Sequence, residues 1–391
     1  MPQAVIVSAV RTPIGAFQGS LSSLPAARLG AVAIKAAIER AGLKPDQIEQ
    51  VYMGNVLLGG QGQAPARQAS IYAGLPATVP CTTISKVCGS GLKSVMMAAT
   101  EIRAGETDVI VAGGMESMST APYYLPRARG GYRMGNGEVI DGMVFDGLWD
   151  PYNNVHMGSF GDKCAREKKF TREEQDAFAQ TSYERAQKAQ ADGAFKNEIV
   201  PVEIPQKKGD PILVTQDEEP ARANFKKARE LKPAFNKDGT VTAANASKID
   251  DAAAAVVVVS DTYAKQHNLK VLATIVAYDG VAQEPDWFTT APIGAIKKTL
   301  TRAKLSTRDI DLWEINEAFS VVTLITMREL ELDHAKVNVN GGAVALGHPI
   351  GCSGARVLVT LLHAMQARDA KRGLATLCIG GGEAAAMVIE R

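Results

Sequence analysis

Opposite charges nearly cancel in this 391-residue chain: 43 Lys and Arg stand against 42 Asp and Glu, a formal net charge of +1. It therefore lacks the broad field that would draw it to nucleic acid or an anionic membrane surface, and any acidic partner must be held by local basic residues. It also lacks an apolar run near the roughly 18 residues that a membrane span needs; the longest, residues 252–259, suits a buried strand. Residues 2–10 show neither the charged, apolar and cleavage regions of a secretory signal nor an Arg-rich transit character, which reads as a cytoplasmic protein. Cysteine is sparse: Cys81, Cys88, Cys164, Cys352 and Cys378 form no Cys-x-x-Cys pair and no metal-type spacing. An odd number without such spacing argues against a disulfide framework or a zinc site and for reduced thiols.

What is present is apolar and periodic. With 46% hydrophobic residues the chain can bury large cores and divide into two or three domains. Residues 4–10 read as a strand and 26–41 as a helix closed by Gly42. Strand character returns at 48–56 and 81–87, a helix fits 64–72, and 108–112 has the continuous apolar pattern of a sheet covered on both faces. This alternation is α/β. The region around residues 41–51 parallels 303–313, Ser90-Gly91-Leu92-Lys93 parallels Ser353-Gly354-Ala355-Arg356, and Ala112-Gly113-Gly114 parallels Ile379-Gly380-Gly381. One long offset means a duplicated α/β domain, since solenoid periods are about 20–50 residues. Between the halves, residues 117–248 lose the alternation and read as an insertion. It holds a Gly- and Arg-rich loop at 123–141 and a helix from Thr171 to Ala191 with a Thr171/Glu174 capping box. A basic stretch follows, with Lys207, Lys208, Arg222, Lys226, Lys227, Arg229 and Lys232, which reads equally as a functional loop and as a solvated face.

Cys88 stands where a glycine-rich turn feeds a helix at Ser90. Unpaired amides at a helix N-terminus stabilise a thiolate, which suits a nucleophile; a lone cysteine is equally at home as a small buried hydrophobe. Three second-half stretches bear on the choice: Asn316-Glu317-Ala318-Phe319, residues 340–354 with His348 between Gly347 and Pro349, and Cys378-Ile379-Gly380-Gly381-Gly382-Glu383. Loops at the carboxyl ends of strands gather in such sheets. An ordinary thiol titrates near 8.5, so a nucleophilic Cys88 wants a base, and His348 is the best placed of five histidines. Cys378 is a second acid and base, and the glycines after it let amides approach an oxyanion.

Those four motifs, in this order, resemble the thiolases, and in particular short-chain acetoacetyl-CoA thiolases, over essentially the whole chain. The resemblance implies duplicated αβαβα halves packed in five layers, residues 1–117 with 249–271 as one half, 272–391 as the other, and 118–248 as an inserted loop domain. It implies a homotetramer built as a dimer of dimers. Acetyl-CoA, acetoacetyl-CoA and free CoA are then the ligands, with no covalently bound cofactor. In the roles so implied, Cys88 carries the acyl group, His348 takes its proton, and Cys378 removes a proton from C2 of a second acetyl-CoA. Oxyanions fall to His348 with an Asn316-held water, and to the amides of Cys88 and Gly380. CoA would lie on Leu148, His156, Met157, Phe235, Ala243, Ser247, Ala318 and Phe319, with Arg222 near the adenine. Leu148, Met157 and Phe235 fit plain core equally well, and His156 fits a turn cap. Some short-chain members bind potassium, which corresponds here to Tyr183, Ala243, Ala244, Ala246 and Val344. Two departures stand out: Ser85, where the family often has Asn, and Glu383 after the glycines. A thiolase of broader chain-length range and a non-catalytic acyl-CoA binding protein are the competing readings.

Overall fold

The computed structural model describes residues 2–391. Five strands, β1 (Ala4–Arg11), β2 (Gln50–Gly54), β3 (Cys81–Ile84), β4 (Val109–Ser117) and β5 (Asp250–Ser260), lie in the order β3-β2-β4-β5-β1. Four more, β6 (Ala273–Ala282), β7 (Leu312–Ile315), β8 (Arg372–Ile379) and β9 (Glu383–Glu390), follow the order β7-β8-β9-β6. A parallel bridge from Trp313 to Val337 occupies the edge that β3 takes in the first set. The pairing senses repeat as well: β2 with β4 and β7 with β8 are parallel, while β4 with β5 and β8 with β9 are antiparallel. The duplication read from the motifs is thus a duplication of topology. The two sets meet where β1 pairs with β6 at Val5–Thr274 and Ile6–Ala273.

Side-chain alternation sorts each strand between two cores. In β5, Ala252, Ala254, Val256 and Val258 enter a central core, and Ala253, Ala255, Val257 and Val259 enter an outer one. In β9, Ala385, Met387 and Ile389 face the centre while Ala384, Ala386 and Val388 face away. The longer helices among the described residues are α1 (Ala26–Ala41), α2 (Pro65–Tyr72), α3 (Ser90–Ala104), α4 (Met157–Lys168), α5 (Arg172–Ala191), α6 (Ala291–Ala303), α7 (Ser320–Leu330) and α8 (Ile350–Ala367), and six of them fill the remaining layers. α1 and α2 cover one sheet, α6 and α7 the other, and α3 with α8 lie between, giving five layers. α8 buries all but three of its 18 residues, as a helix apolar on every side must.

The repeated Ser-Gly pairs mark where α3 and α8 cross. A Cβ on Gly91 would lie 2.6 Å from the Ala355 amide nitrogen, and one on Gly354 would lie 2.3 Å from that of Leu92. Only glycine lets the two backbones approach this closely. Among the described residues no helix is long and apolar enough to cross a membrane. Between β4 and β5 the chain forms short hairpins together with α4 and α5, whose start is fixed by the reciprocal Thr171/Glu174 box, with bonds of 3.1 and 2.7 Å.

Two strand expectations shift. The strand predicted over 81–87 ends at Ile84, because the chain then turns sharply; the one predicted over 108–112 runs on to Ser117, in register with β5 through Gly113 and Gly114.

Candidate active site

The turn before α3 is held by Ser90, whose hydroxyl accepts from the Lys86 amide at 2.8 Å and donates to the Val87 carbonyl at 2.6 Å. Although the turn is glycine-rich, Gly89 is right-handed and Val87 is the residue with positive φ, +44°. A β-branched residue there is a genuine outlier, sustained by the Ser90 bonds and consistent with a functional turn. Cys88 follows it, partly exposed, with the amides of Cys88 itself and Gly380 aimed at the sulfur. Those amides favour the thiolate, but desolvation outweighs them and the thiol is pushed up to about 11. The helix-terminus argument from sequence thus had the sign of one contribution and missed the larger one.

Cys378, at the end of β8, is fully buried, and its thiol is raised well above the ordinary range by burial and by the neighbouring Cys88. The two loops are locked together. A Cβ on Gly89 would meet Ile379 Cδ1 at 2.3 Å, Gly380 approaches Val87 and Met157, and Lys86 pairs with Glu383. Glu383, a departure in sequence, therefore fastens the Cys378 loop to the Cys88 turn, while Ser85 points outward.

His348 stands just ahead of α8, in the second half. Its backbone amide donates to the Lys248 carbonyl at 3.1 Å and to Asp250 Oδ2 at 2.9 Å. On the ring, Nδ1 lies 2.5 Å from Ser353 Oγ, which itself donates to the Pro349 carbonyl, and Nε2 lies 3.4 Å from Asn316 Nδ2. Since the Asn316 amide carries the protons and Arg356 holds its oxygen, this network puts the ring proton on Nδ1 and the lone pair on Nε2. Burial and the Arg356 guanidinium push the imidazole down to about 3, so it is neutral across the physiological range. Glu116 joins the halves here, accepting from Asn55 Nδ2 and from the amides of Val56, Leu57 and Gly351. Burial raises its carboxyl to about 7 despite those four donors. Gly351 occupies the repeat position of Cys88, and a Cβ there would sit 2.6 Å from Glu116 Oε2. The second half has no room for a nucleophile.

The remaining sequence-selected residues form a continuous path. A cavity of about 600 Å³ is walled by α5, residues 219–231 and the 243–248 loop, and it includes Arg222, Tyr183, Ala243 and Ala244. Arg172, Lys227 and Arg229 make its rim basic, and Arg222 is paired with Glu219 at 3.3 Å. From Ala243 the loop leads to Ser247, whose amide donates to the Ala318 carbonyl, and Ala246 bridges to Phe319. Phe319 sits edge-on to Phe235 at 6.0 Å, and Phe235 stacks on His156 at 4.5 Å. Next to His156 is Met157, beside Gly380. His156 also accepts the Gly158 amide at 3.1 Å, so it is the N-cap of α4 as well as part of this wall. Leu148 packs with Val56, Leu57, Met143 and Ile350 in the cluster that touches Cys88. The large cavity and the thiols are thus opposite ends of one path.

Four of the five residues assigned to potassium do converge, but on a cation the chain already carries, while Ala244 lines the adjoining cavity. Lys248 Nζ donates to the carbonyls of Ala243 (2.7 Å), Ala246 (2.8 Å) and Val344 (3.4 Å) and lies 5.6 Å from the Tyr183 ring centre. A second monovalent cation does not fit among the same oxygens. Sequence reading missed Lys248, and also Ser353 and Arg356 as supports of His348; a lysine closing an alanine-rich loop was the available signal for the first.

Residues 4–262 match the thiolase N-terminal domain and 269–391 the thiolase C-terminal domain. The chain is 55% identical to an acetyl-CoA acetyltransferase of Cupriavidus necator, with both chains fully covered. It is 52% identical to the mitochondrial acetyl-CoA acetyltransferase of Bos taurus, covering 100% of this chain and 92% of that one. A crystal structure of an Ascaris suum thiolase in complex with coenzyme A superposes with a TM-score of 0.95 at 45% identity, covering 100% of each chain.

Proposed function

Because this chain belongs to the thiolase family, we propose that it is an acetyl-CoA C-acetyltransferase, an acyltransferase that joins two acetyl-CoA into acetoacetyl-CoA and CoA or runs the reverse thiolysis. The observation that carries this reading is the meeting of two thiols, Cys88 and Cys378, one from each half; to these the reading adds a neutral His348 whose lone pair is fixed on Nε2.

Cys88 attacks the thioester carbonyl of the first acetyl-CoA while its proton passes to His348 Nε2. With the thiol near 11 and the imidazole near 3, that proton moves during attack and not before it. The Cys88 and Gly380 amides receive the oxyanion, and the departing CoA sulfur takes the proton of Cys378 while His348 keeps the one on Nε2. Cys378, left as the thiolate once its proton has gone to the departing CoA, then removes a C2 proton from a second acetyl-CoA. The carbanion attacks the acetyl group, and Cys88 leaves, taking back the proton held by His348. Asn316 with a held water and His348 receive the enolate oxygen. Leu148, His156, Met157, Phe235, Ala243, Ser247, Ala318 and Phe319 hold CoA, with residues 118–248 as the domain that brings most of them.

Support for a tetramer comes from exposed Leu125, Met134 and Val139 on the inserted loop, and support for a cytoplasmic setting from five free thiols. The test is thiolysis of acetoacetyl-CoA, followed as loss of enolate absorbance on adding CoA. Folded protein without CoA-dependent turnover would refute the proposal, and free acid release without CoA would point to hydrolysis.

A further inference from the structure

Among the described residues the Lys248 ammonium has no carboxylate partner within ion-pair distance. Instead its three N–H donors meet three backbone carbonyls, two from the loop at Ala243 and Ala246 and one from Val344, under the face of Tyr183. A ring of carbonyls around a single charge is how proteins hold a bare monovalent cation, and here the cation is tethered to the chain. The peptide at Val344 is gripped at both ends, since its amide donates to Glu317 Oε2 at 3.1 Å. Glu317 is itself fixed by Ser182 Oγ at 2.7 Å and Asn338 Nδ2 at 2.8 Å. Lys248 also presents its own carbonyl to the His348 amide. One side chain therefore connects the loop carrying Ala243 and Ser247 to the segment that delivers His348.

We propose that Lys248 is a positioning residue whose ammonium serves as the resident cation of this carbonyl ring, locking the CoA-binding loop to the His348 segment and making the protein indifferent to added potassium. This rests on reading residues 243–247 as part of the CoA site. The charge is available at neutral pH: burial lowers the ammonium only to about 8, with Glu219, Asp250 and Glu317 opposing the shift.

The test compares wild type, Lys248→Ala and Lys248→Met in the chlorides of potassium, sodium and tetramethylammonium at one ionic strength, about 0.2 M, so that general screening is constant. Two quantities are read: Tm of the protein alone, and KM for CoA against kcat in thiolysis. Wild type should show the same Tm and KM in all three salts. In tetramethylammonium, Lys248→Ala should raise KM for CoA roughly tenfold or more, the loss associated with charged hydrogen bonds, with kcat less affected. Potassium should restore much of that KM and raise the variant's Tm. Lys248→Met, which fills the space without charge, should show the defect without the rescue. A wild-type Tm or KM that responds to potassium overturns the proposal. So does a Lys248→Ala variant equal to wild type in tetramethylammonium, or a defect that potassium leaves untouched. Should Lys248→Ala not fold, the wild-type salt series and Lys248→Met decide. The Tm arm needs no turnover, so it stands apart from failure of the thiolysis reading.

Discussion

Replacing Ser353 with Ala should disable His348 without touching a thiol. Ser353 is fully buried, and its hydroxyl receives the His348 Nδ1 proton, at 2.5 Å. Its removal leaves that N–H without a partner inside the protein, a cost of about 1–3 kcal/mol. The imidazole escapes part of the cost by moving its proton to Nε2, and that is the form that cannot take a proton from Cys88. If the reactive tautomer becomes less favourable by the same amount, kcat/KM falls by about tenfold to hundredfold. The assay is the rate of Cys88 acylation by acetyl-CoA in a single turnover, which isolates the step in which Nε2 accepts the proton. Ser353→Thr keeps a hydroxyl and should recover part of the rate. Acylation by Ser353→Ala at the wild-type rate would refute the tautomer assignment and the role derived from it.

Other outcomes follow from the same geometry. Because burial raises Cys88 from 9.0 to about 11, its alkylation by iodoacetamide should climb about tenfold per pH unit from 7 to 10 and run about a hundredfold below an ordinary thiol at pH 8. A plateau near pH 8.5 would mean the amides win over desolvation. Gly354→Ala drives a methyl into the Leu92 amide, so overpacking of about 1–3 kcal/mol should lower the urea midpoint with the slope unchanged. An unchanged midpoint would show that α3 and α8 separate easily.

Much of the architecture was readable because it is periodic. The apolar run at residues 252–259 implied a buried strand, and β5 indeed divides its side chains between two cores. The paired Ser-Gly motifs implied duplication, and their physical meaning is the helix crossing at Gly91 and Gly354. Local capping at Thr171 could be read directly, since both partners lie within one turn. What escaped was set by contacts distant in sequence. Val87 carries no mark of its positive φ, because the Ser90 hydroxyl that sustains it does so only in the folded turn. The depth of burial that lifts the Cys88 thiol comes from both halves at once. Lys248 was passed over because one of the carbonyls it meets, that of Val344, lies about a hundred residues on.

The crossing of α3 and α8 also dictates when reactivity can arise. About 260 residues of chain separate Gly91 from Gly354, and closing a loop of that length costs on the order of 5 kcal/mol in chain entropy before any contact offsets it. The helices therefore dock late, after each half has local structure of its own. During synthesis the Cys88 turn leaves the ribosome long before Gly380 or His348 exists. Through that interval Cys88 is an ordinary thiol, more open to alkylation and oxidation than in the finished protein. Folding withdraws it from unselective chemistry, and the closing of the two helices marks the moment at which a vulnerable sulfur becomes a guarded one.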